Sequence, residues 1–336
     1  MEVLAGDVGG TKVIVAILDV DLDGGHPRAR VLDSRRYESR RFPGLEALCR
    51  AFAAETGRAL PRRAGFGVAG PVASGRCRTT NLPWVLDEGD LREKLGADRV
   101  ALANDFCALG LGLPFVQPEH LVALNEAAPD PRGPQGVLGA GTGLGQCICL
   151  TLPDGRREVL PTEGGHCDFA PRGEAEIAVL RFLGRRFDHV SWERVLSGDG
   201  LVSIAEALAW SEGVPVPGPL AEQIALDRSE APERVTELAR AGDPICGQAL
   251  RMFCSLYGAE AGNLGLKILA TGGIYVAGGI APRILTELTD GRFREAFLGK
   301  GRMRRLLESI PVHVVLDPLT ALYGAAALAA TDPRPA

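Results

Sequence analysis

Hydrophobic and polar positions along this chain follow two periods, and the switches between them outline its elements. Short apolar runs predict strands at 2–6, 13–20 and 30–37. Leu45, Leu48, Cys49, Phe52 and Ala53 recur at helical spacing and predict a helix over 45–56. A strand at 64–69 follows, then an irregular stretch through 79–84, a short helix at 88–95, a strand at 100–103 and a helix starting near Phe106. After residues 110–114 the character changes. Strands at about 121–124, 136–139, 146–152 and 156–160 precede several helices. Asp243 is the N-cap, and Pro244 the first residue, of a helix running to about Lys267. Residues 272–279 read as a buried strand bounded by glycine pairs. A strand at 312–316, a helix at 319–330 and a frayed tail at 331–336 close the pattern. A hairpin start followed by alternating strands and helices is mixed α/β and not a simple doubly wound sheet.

Glycine interrupts these runs at two places where chemistry is expected. Asp7-Val8-Gly9-Gly10-Thr11-Lys12 lies between Leu4-Ala5 and an apolar run from Val13 to Leu18. This order leaves a carboxylate and bare backbone N–H groups at a hairpin tip, a donor set suited to phosphate. Asp7 adds a hard oxygen able to hold Mg²⁺ directly or through water. A tight Gly-Gly hairpin with no ligand is the plain alternative. Residues 139–145, Gly-Ala-Gly-Thr-Gly-Leu-Gly, repeat the arrangement between two further apolar runs. So much glycine is incompatible with a helix or an ordinary strand. Two such turns at strand junctions, one carrying an acid, favour a pair of phosphate grips.

Composition narrows the class. At 336 residues the chain exceeds one average domain and suits two. Hydrophobic residues at 46% and charged residues at 24% describe an ordinary soluble globular protein with an ample core. A net charge of −5 with no basic block argues against a nucleic-acid partner. Eight cysteines form no Cys-x-x-Cys pair, and most sit among apolar neighbours, so reduced thiols in a cytoplasmic protein are expected. Asp7 breaks the only early apolar run, which argues against a secretory leader. Residues 133–153 carry no charge, but their glycine and polar content argues against a membrane span.

Several polar groups are candidates for chemistry. Asn104-Asp105 ends the strand at 100–103, so Asp105 either projects into a cleft above a sheet or caps the following helix. Glu163-Gly164-Gly165-His166-Cys167-Asp168-Phe169 crowds polar side chains around two glycines, a pattern for recognising a polar ligand. A metal on His166 and Asp168 lacks the rest of a ligand set at suitable spacing. Glu193 reads locally as an exposed acid at a helix start. Two nucleotide motifs fail. Gly65-Phe66-Gly67-Val68-Ala69-Gly70 fits G-x-G-x-x-G, but Pro71 and extended sequence follow where a helix is needed. No G-x-x-x-x-G-K-[ST] occurs.

In chain order the motifs are Asp-Val-Gly-Gly-Thr, Asn-Asp-Phe, Gly-Ala-Gly-Thr-Gly-Leu-Gly, Glu-Gly-Gly-His-x-Asp-Phe-Ala-Pro, Glu-Arg-Val-Leu-Ser-Gly and Gly-Gly-Ile-Tyr-Val-Ala-Gly-Gly-Ile-x-Pro-Arg. From residue 5 to about 325 this series resembles the bacterial glucokinases of the hexokinase/actin-like ATPase superfamily. The resemblance implies an α/β, two-domain actin-like ATPase (ribonuclease H-like) fold with a nucleotide and sugar cleft. Its small domain would be 1–112 plus 314–336, and its large domain 113–313. It also implies ATP- and Mg²⁺-dependent phosphorylation of the glucose 6-hydroxyl. Asp7, Gly9, Gly10 and Thr11 would form the first phosphate site, with Asp7 toward the metal. Gly141, Thr142 and Gly143 would form the second, with Gly278 and Gly279 bordering adenosine. Sugar hydroxyls would fall to Asn104, Asp105, Glu163, His166 and Glu193, with Asp105 as the base, and Asn81 precedes a loop that would also line the sugar pocket. Many ROK-type sugar kinases carry Cys-x-Cys-Gly-x-x-Gly-Cys after the sugar-binding His. Nothing of the kind follows His166, so no structural zinc is expected. The family is usually homodimeric, with sugar and nucleotide as its small-molecule partners. Two rivals stay open: a kinase for another hexose or an amino sugar, and a catalytically silent sugar sensor or actin-like ATPase.

Overall fold

The computed structural model describes residues 1–22, 27–79 and 82–331. The chain begins with β1 (Glu2–Val8), β2 (Lys12–Asp21), β3 (Arg28–Glu38), α1 (Leu45–Thr56) and β4 (Arg63–Val68). Three short strands follow, β5 (Val72–Ala73), β6 (Arg76–Arg78) and β7 (Val85–Asp87), then α2 (Glu88–Leu95), β8 (Arg99–Asn104) and α3 (Asp105–Gly112). Next come β9 (Leu121–Ala123), β10 (Gln135–Ala140), β11 (Leu144–Thr151) and β12 (Arg157–Thr162). The helices α4 (Glu174–Leu183), α5 (Gly198–Glu212), α6 (Gly218–Leu226), α7 (Ala231–Arg240) and α8 (Pro244–Ile268) lead to β13 (Gly273–Ala277). The chain ends with α9 (Leu285–Leu288), α10 (Arg292–Leu298), α11 (Arg304–Glu308), β14 (Val312–Val315) and α12 (Thr320–Ala330). These elements divide into two units. One holds 1–120, 156–161 and 317–336, and the other 121–155 and 162–316, whereas the sequence places the cuts after 112 and 313.

The first unit is built on a sheet of order β3-β2-β1-β4-β8. β1 and β2 form an antiparallel hairpin, whereas β1, β4 and β8 run parallel. Val13, Val15 and Ile17 point to one face of this sheet, against Leu45, Leu48 and Phe52 of α1. Ala16, Leu18 and Val20 point to the other, against Leu322, Ala325 and Ala326 of α12. Because both faces are covered, the β2 run is apolar throughout and does not alternate. The glycines of the rejected dinucleotide pattern serve this packing. A Cβ on Gly65 would overlap the Ala325 carbonyl oxygen, and one on Gly67 would come within 2.8 Å of the Ala108 methyl.

The irregular stretch expected through 79–84 is flanked by a small antiparallel sheet, β5-β6-β7, that the sequence does not predict. Strands of two or three residues are too short to show a period of two. Within it the Thr79 hydroxyl donates to the carbonyls of Leu82, at 2.9 Å, and Trp84, at 3.1 Å. Asn81 lies outside the described residues.

In the second unit β10 pairs antiparallel with β11, β13 and β14 follow in parallel, and β9 closes the edge antiparallel to β14. α8 runs through its core. The Asp243 carboxylate accepts from the Cys246 N–H at 2.8 Å, and the helix ends one residue beyond the expected Lys267. Leu250, Phe253, Tyr257 and Leu264 of α8 pack with residues of α5, α7 and α10 in one continuous apolar cluster.

Candidate active site

In the first unit the parallel strands β1, β4 and β8 bring their carboxyl ends to one edge, where ligands of open α/β sheets bind. Asp7 sits near the end of β1, paired in register with Gly67, and Gly67 is paired with Ala103 of β8. The Asp105 Cα lies 3.7 Å from the point a Gly67 Cβ would occupy. No side chain stands on the strand between the two acids, and they interact. Burial pushes the Asp7 carboxyl up to about 6, with the negative charge of Asp105 adding to the effect. Two mutually repelling carboxylates are a donor set that a hard divalent cation relieves, so the residues fit Mg²⁺ at Asp7.

The glycine turn after Asp7 is braced by Ser39, in the 3₁₀ turn Ser39–Arg41 that follows β3. The Ser39 hydroxyl donates to the Gly9 carbonyl at 3.0 Å, and the Ser39 N–H to the Thr11 carbonyl at 3.0 Å. Helix capping at α3 falls to Asn104 and not to Asp105. The Asn104 Oδ1 accepts from the N–H groups of Phe106, at 2.9 Å, and Cys107, at 3.4 Å. Asp105 is the first helical residue, with Oδ1 accepting the Phe106 N–H at 2.9 Å. The capping alternative for this acid is therefore corrected: its neighbour holds the cap.

In the second unit the β10–β11 hairpin presents Gly141, Thr142 and Gly143 at its tip. The Gly141 carbonyl accepts from the Gly198 N–H at 2.8 Å, tying the tip to the start of α5. The Leu144 N–H donates to Glu193 Oε2 at 2.9 Å, and that oxygen occupies the space a Gly143 Cβ would need. Glu193 is thus not the exposed helix-start acid of the local reading. It sits, half-buried, in the 3₁₀ turn Trp192–Arg194 and holds the glycine turn. By contrast, a Cβ on Gly141 or Gly279 would meet nothing within 4 Å. Packing makes no demand for glycine there, and the open cradle is what an approaching phosphate or adenosine requires. Gly278 is needed by the backbone itself, with φ of 84° and a Cβ position 2.7 Å from the Ala140 carbonyl oxygen.

Glu163 and His166 flank the 3₁₀ turn Gly164–His166, with Glu163 Oε2 and His166 Nε2 3.9 Å apart and both side chains largely exposed. This turn lies against β11, because a Cβ on Gly165 would overlap the Leu144 carbonyl oxygen. Leu144 therefore touches both the glycine turn of the β10–β11 hairpin and the turn that carries Glu163 and His166. Asp168 pairs with His189, Nε2 to Oδ1 at 2.9 Å, and no group of three or more His, Cys, Asp or Glu among the described residues is placed to hold a metal. Sequence reasoning missed the braces. Ser39 follows a charged strand with no signal of its own. Tyr257, however, carries a phenol in the apolar middle of α8, and such a hydroxyl needs a partner. It accepts from the Ala140 N–H at 2.8 Å and donates to the Ala277 carbonyl at 3.2 Å, clamping the strand ends from which both glycine turns spring.

The glucokinase family model matches residues 4–332. The chain is 39% identical over 340 residues to a glucokinase of Nostoc punctiforme, covering 97% of this chain and 98% of that one. It is 40% identical over 345 residues to a glucokinase of Synechocystis sp., covering 97% of each. A crystal structure of glucokinase from an Antarctic psychrotroph aligns with a TM-score of 0.85 at 28% identity, over 98% of both chains. The fold is that of the actin-like ATPases, as the motif order implies. With its family pattern matched over nearly its whole length, the chain belongs to the glucokinase family.

Proposed function

We propose that this sugar kinase transfers the γ-phosphate of ATP to the 6-hydroxyl of glucose, with Asp105 as general base. The observation that carries the reading is the Asp7–Asp105 pair at the carboxyl edge of β1 and β8, where Asn104 holds the helix cap. A sugar hydroxyl becomes acidic only as its bond to phosphorus forms, so a positioned carboxylate suffices to take the proton. The backbone N–H groups of Gly9, Gly10 and Thr11, and of Gly141, Thr142 and Gly143, would orient the phosphates, and Gly278 and Gly279 would border adenosine. Mg²⁺, held by Asp7, would supply the positive charge that the phosphates need.

Asn104, Glu163, His166 and Glu193 would hold the sugar hydroxyls, each of which is both donor and acceptor, with Asn81 nearby in the chain. A wrong epimer leaves one of these polar groups without its hydroxyl partner, which is how the stereochemistry would be read. The reading extends to a homodimer in the cytoplasm, where cysteine thiols stay reduced. Purified protein with MgATP is tested against glucose, mannose, galactose, fructose and N-acetylated hexosamines. Phosphorylation of glucose above the others is expected. Preferred turnover of another sugar overturns the substrate, and silence on every sugar overturns the reaction.

A further inference from the structure

Behind the turn that carries Glu163 and His166 lies a buried carboxylate that the phosphoryl transfer does not use. Glu260, in the middle of α8, is fully buried. Its Oε1 accepts from Gln146 Nε2 at 2.9 Å, and its Oε2 from Asn263 Nδ2 at 2.9 Å. Lys300 Nζ in turn donates to Asn263 Oδ1 at 2.5 Å and to the Ala259 carbonyl at 2.9 Å. Amide N–H groups thus donate to both of its oxygens. Gln146, on β11, is the link to the surface. Its carbonyl accepts from the Thr162 hydroxyl at 3.3 Å, and that hydroxyl oxygen accepts from the Gly164 N–H at 3.3 Å. Its side-chain oxygen fills the space where Gly164 would carry a Cβ. Gly164 opens the turn, so the height of the turn over β11 depends on which end of the Gln146 amide faces it.

We propose that Glu260 is a positioning residue for sugar binding. By fixing the Gln146 amide with its NH₂ inward and its oxygen outward, it sets the turn from which Glu163 and His166 reach the sugar. The inference rests on the assignment of Glu163 and His166 to the sugar under the proposed function. Glu260→Gln sets an NH₂ group against one of two amide donors, and the relief open to it, reversal of Gln146, thrusts hydrogens at Gly164. The His166 N–H to Glu163 carbonyl bond (2.9 Å) and the Cys167 N–H to Gly164 carbonyl bond (3.1 Å) define the turn and make its amides the direct probe.

The test compares wild type, E260Q and the exchange E260Q/Q146E. The exchange again places a donor opposite every acceptor: Gln at 260 donates to Glu at 146 and accepts from Asn263. Hydrogen exchange at His166 and Cys167 is read beside steady-state kinetics. E260Q should speed exchange at these amides and raise the glucose KM by about tenfold, with the ATP KM and kcat within about threefold of wild type. The exchange variant should restore both. If E260Q does not fold, Gln146→Met, which removes the amide at similar volume, carries the same expectation. An equal rise in both KM values, or failure of the exchange variant to restore the turn, overturns the proposal. So does unchanged amide exchange in E260Q, and Glu163→Gln then still reports whether the turn serves the sugar. Faster exchange with an unchanged glucose KM overturns the sugar assignment itself, and the proposal with it.

Discussion

The charge of Asp105 raises the cost of ionising Asp7 across a strand that carries only Gly67 between them, and this coupling can be measured. Asp105→Asn should lower kcat by about 10²–10⁴-fold with a modest change in glucose affinity, the loss of a positioned base. The same variant removes one of the two causes that hold the Asp7 carboxyl near 6, while burial, the larger cause, stays. Asp7 should then titrate lower than in wild type but still above 3.8, its ordinary value. The sign for stability follows from proton linkage. The folded chain holds the Asp7 proton more tightly than the unfolded chain, so ionisation costs stability as pH rises from 3.8 through about 6. That decline should be shallower in Asp105→Asn. Carboxylate NMR titration of the unliganded protein, with denaturation across this range, checks both. An Asp7 titration unmoved by the substitution would mean the two acids are not coupled. At this scale the sequence singles out the proposed groups because each sits in a short motif with a chemical reason. It did not reveal that Asn104 takes the cap or that Glu193 grips Leu144. The first is a choice between two adjacent side chains for the same helix-start N–H groups, and the second joins residues far apart in the chain.

Asp105 opens α3, so its position depends on how α3 is seated, and that seat is unusually close. A Cβ on Gly112 would overlap the Thr320 carbonyl oxygen, and one on Gly324 would overlap the Ala108 carbonyl oxygen, so α3 and α12 touch backbone to backbone. Gly324→Ala should destabilise the protein by about 1–3 kcal/mol, because the obstruction is main chain and no rotamer relieves it. Since α3 must shift, kcat should fall as well, although residue 324 lies far along the chain from the proposed site. Gly57→Ala is a contrast, because its φ of 66° brings backbone strain with nothing within 4 Å, so stability should fall while kcat holds. Urea denaturation and steady-state rates separate the two cases, and a Gly324→Ala enzyme of wild-type stability would contradict the close seat. Elements of this length were legible because period, caps and flanking glycines agree: α1 spans the expected 45–56, and α8 begins at its Asp243–Pro244 signal. The β5-β6-β7 sheet was not, since its strands are shorter than any repeat they could display. The crossing of α3 and α12 was equally hidden, because small residues record that something comes close without recording what.

At the scale of the molecule, the apolar cores follow the division of the chain. One cluster lies wholly in the second unit, and two lie wholly in the first. Each unit thus has the means to melt on its own apolar surface, and a ligand that engages only one would protect only that one. The proposed sugar residues are divided: Asn104 and Asp105 belong to the first unit, Glu163, His166 and Glu193 to the second. Glucose at about a hundred times its Kd adds about 2.7 kcal/mol to whatever unfolds with its binding residues. If both groups serve the sugar, calorimetry should show glucose raising the Tm of the whole chain, moving every transition upward where more than one is seen. Asn104→Ala and Glu163→Gln, one from each unit, should each shrink that shift at a fixed glucose concentration. A shift untouched by Asn104→Ala would remove the first unit from sugar binding and leave it the phosphates alone. One untouched by Glu163→Gln would strip the sugar role from the turn over β11. Loss of the shift in both variants would assign hydroxyl partners to Asn104 and Glu163 alike, the outcome that the proposed sugar residues require.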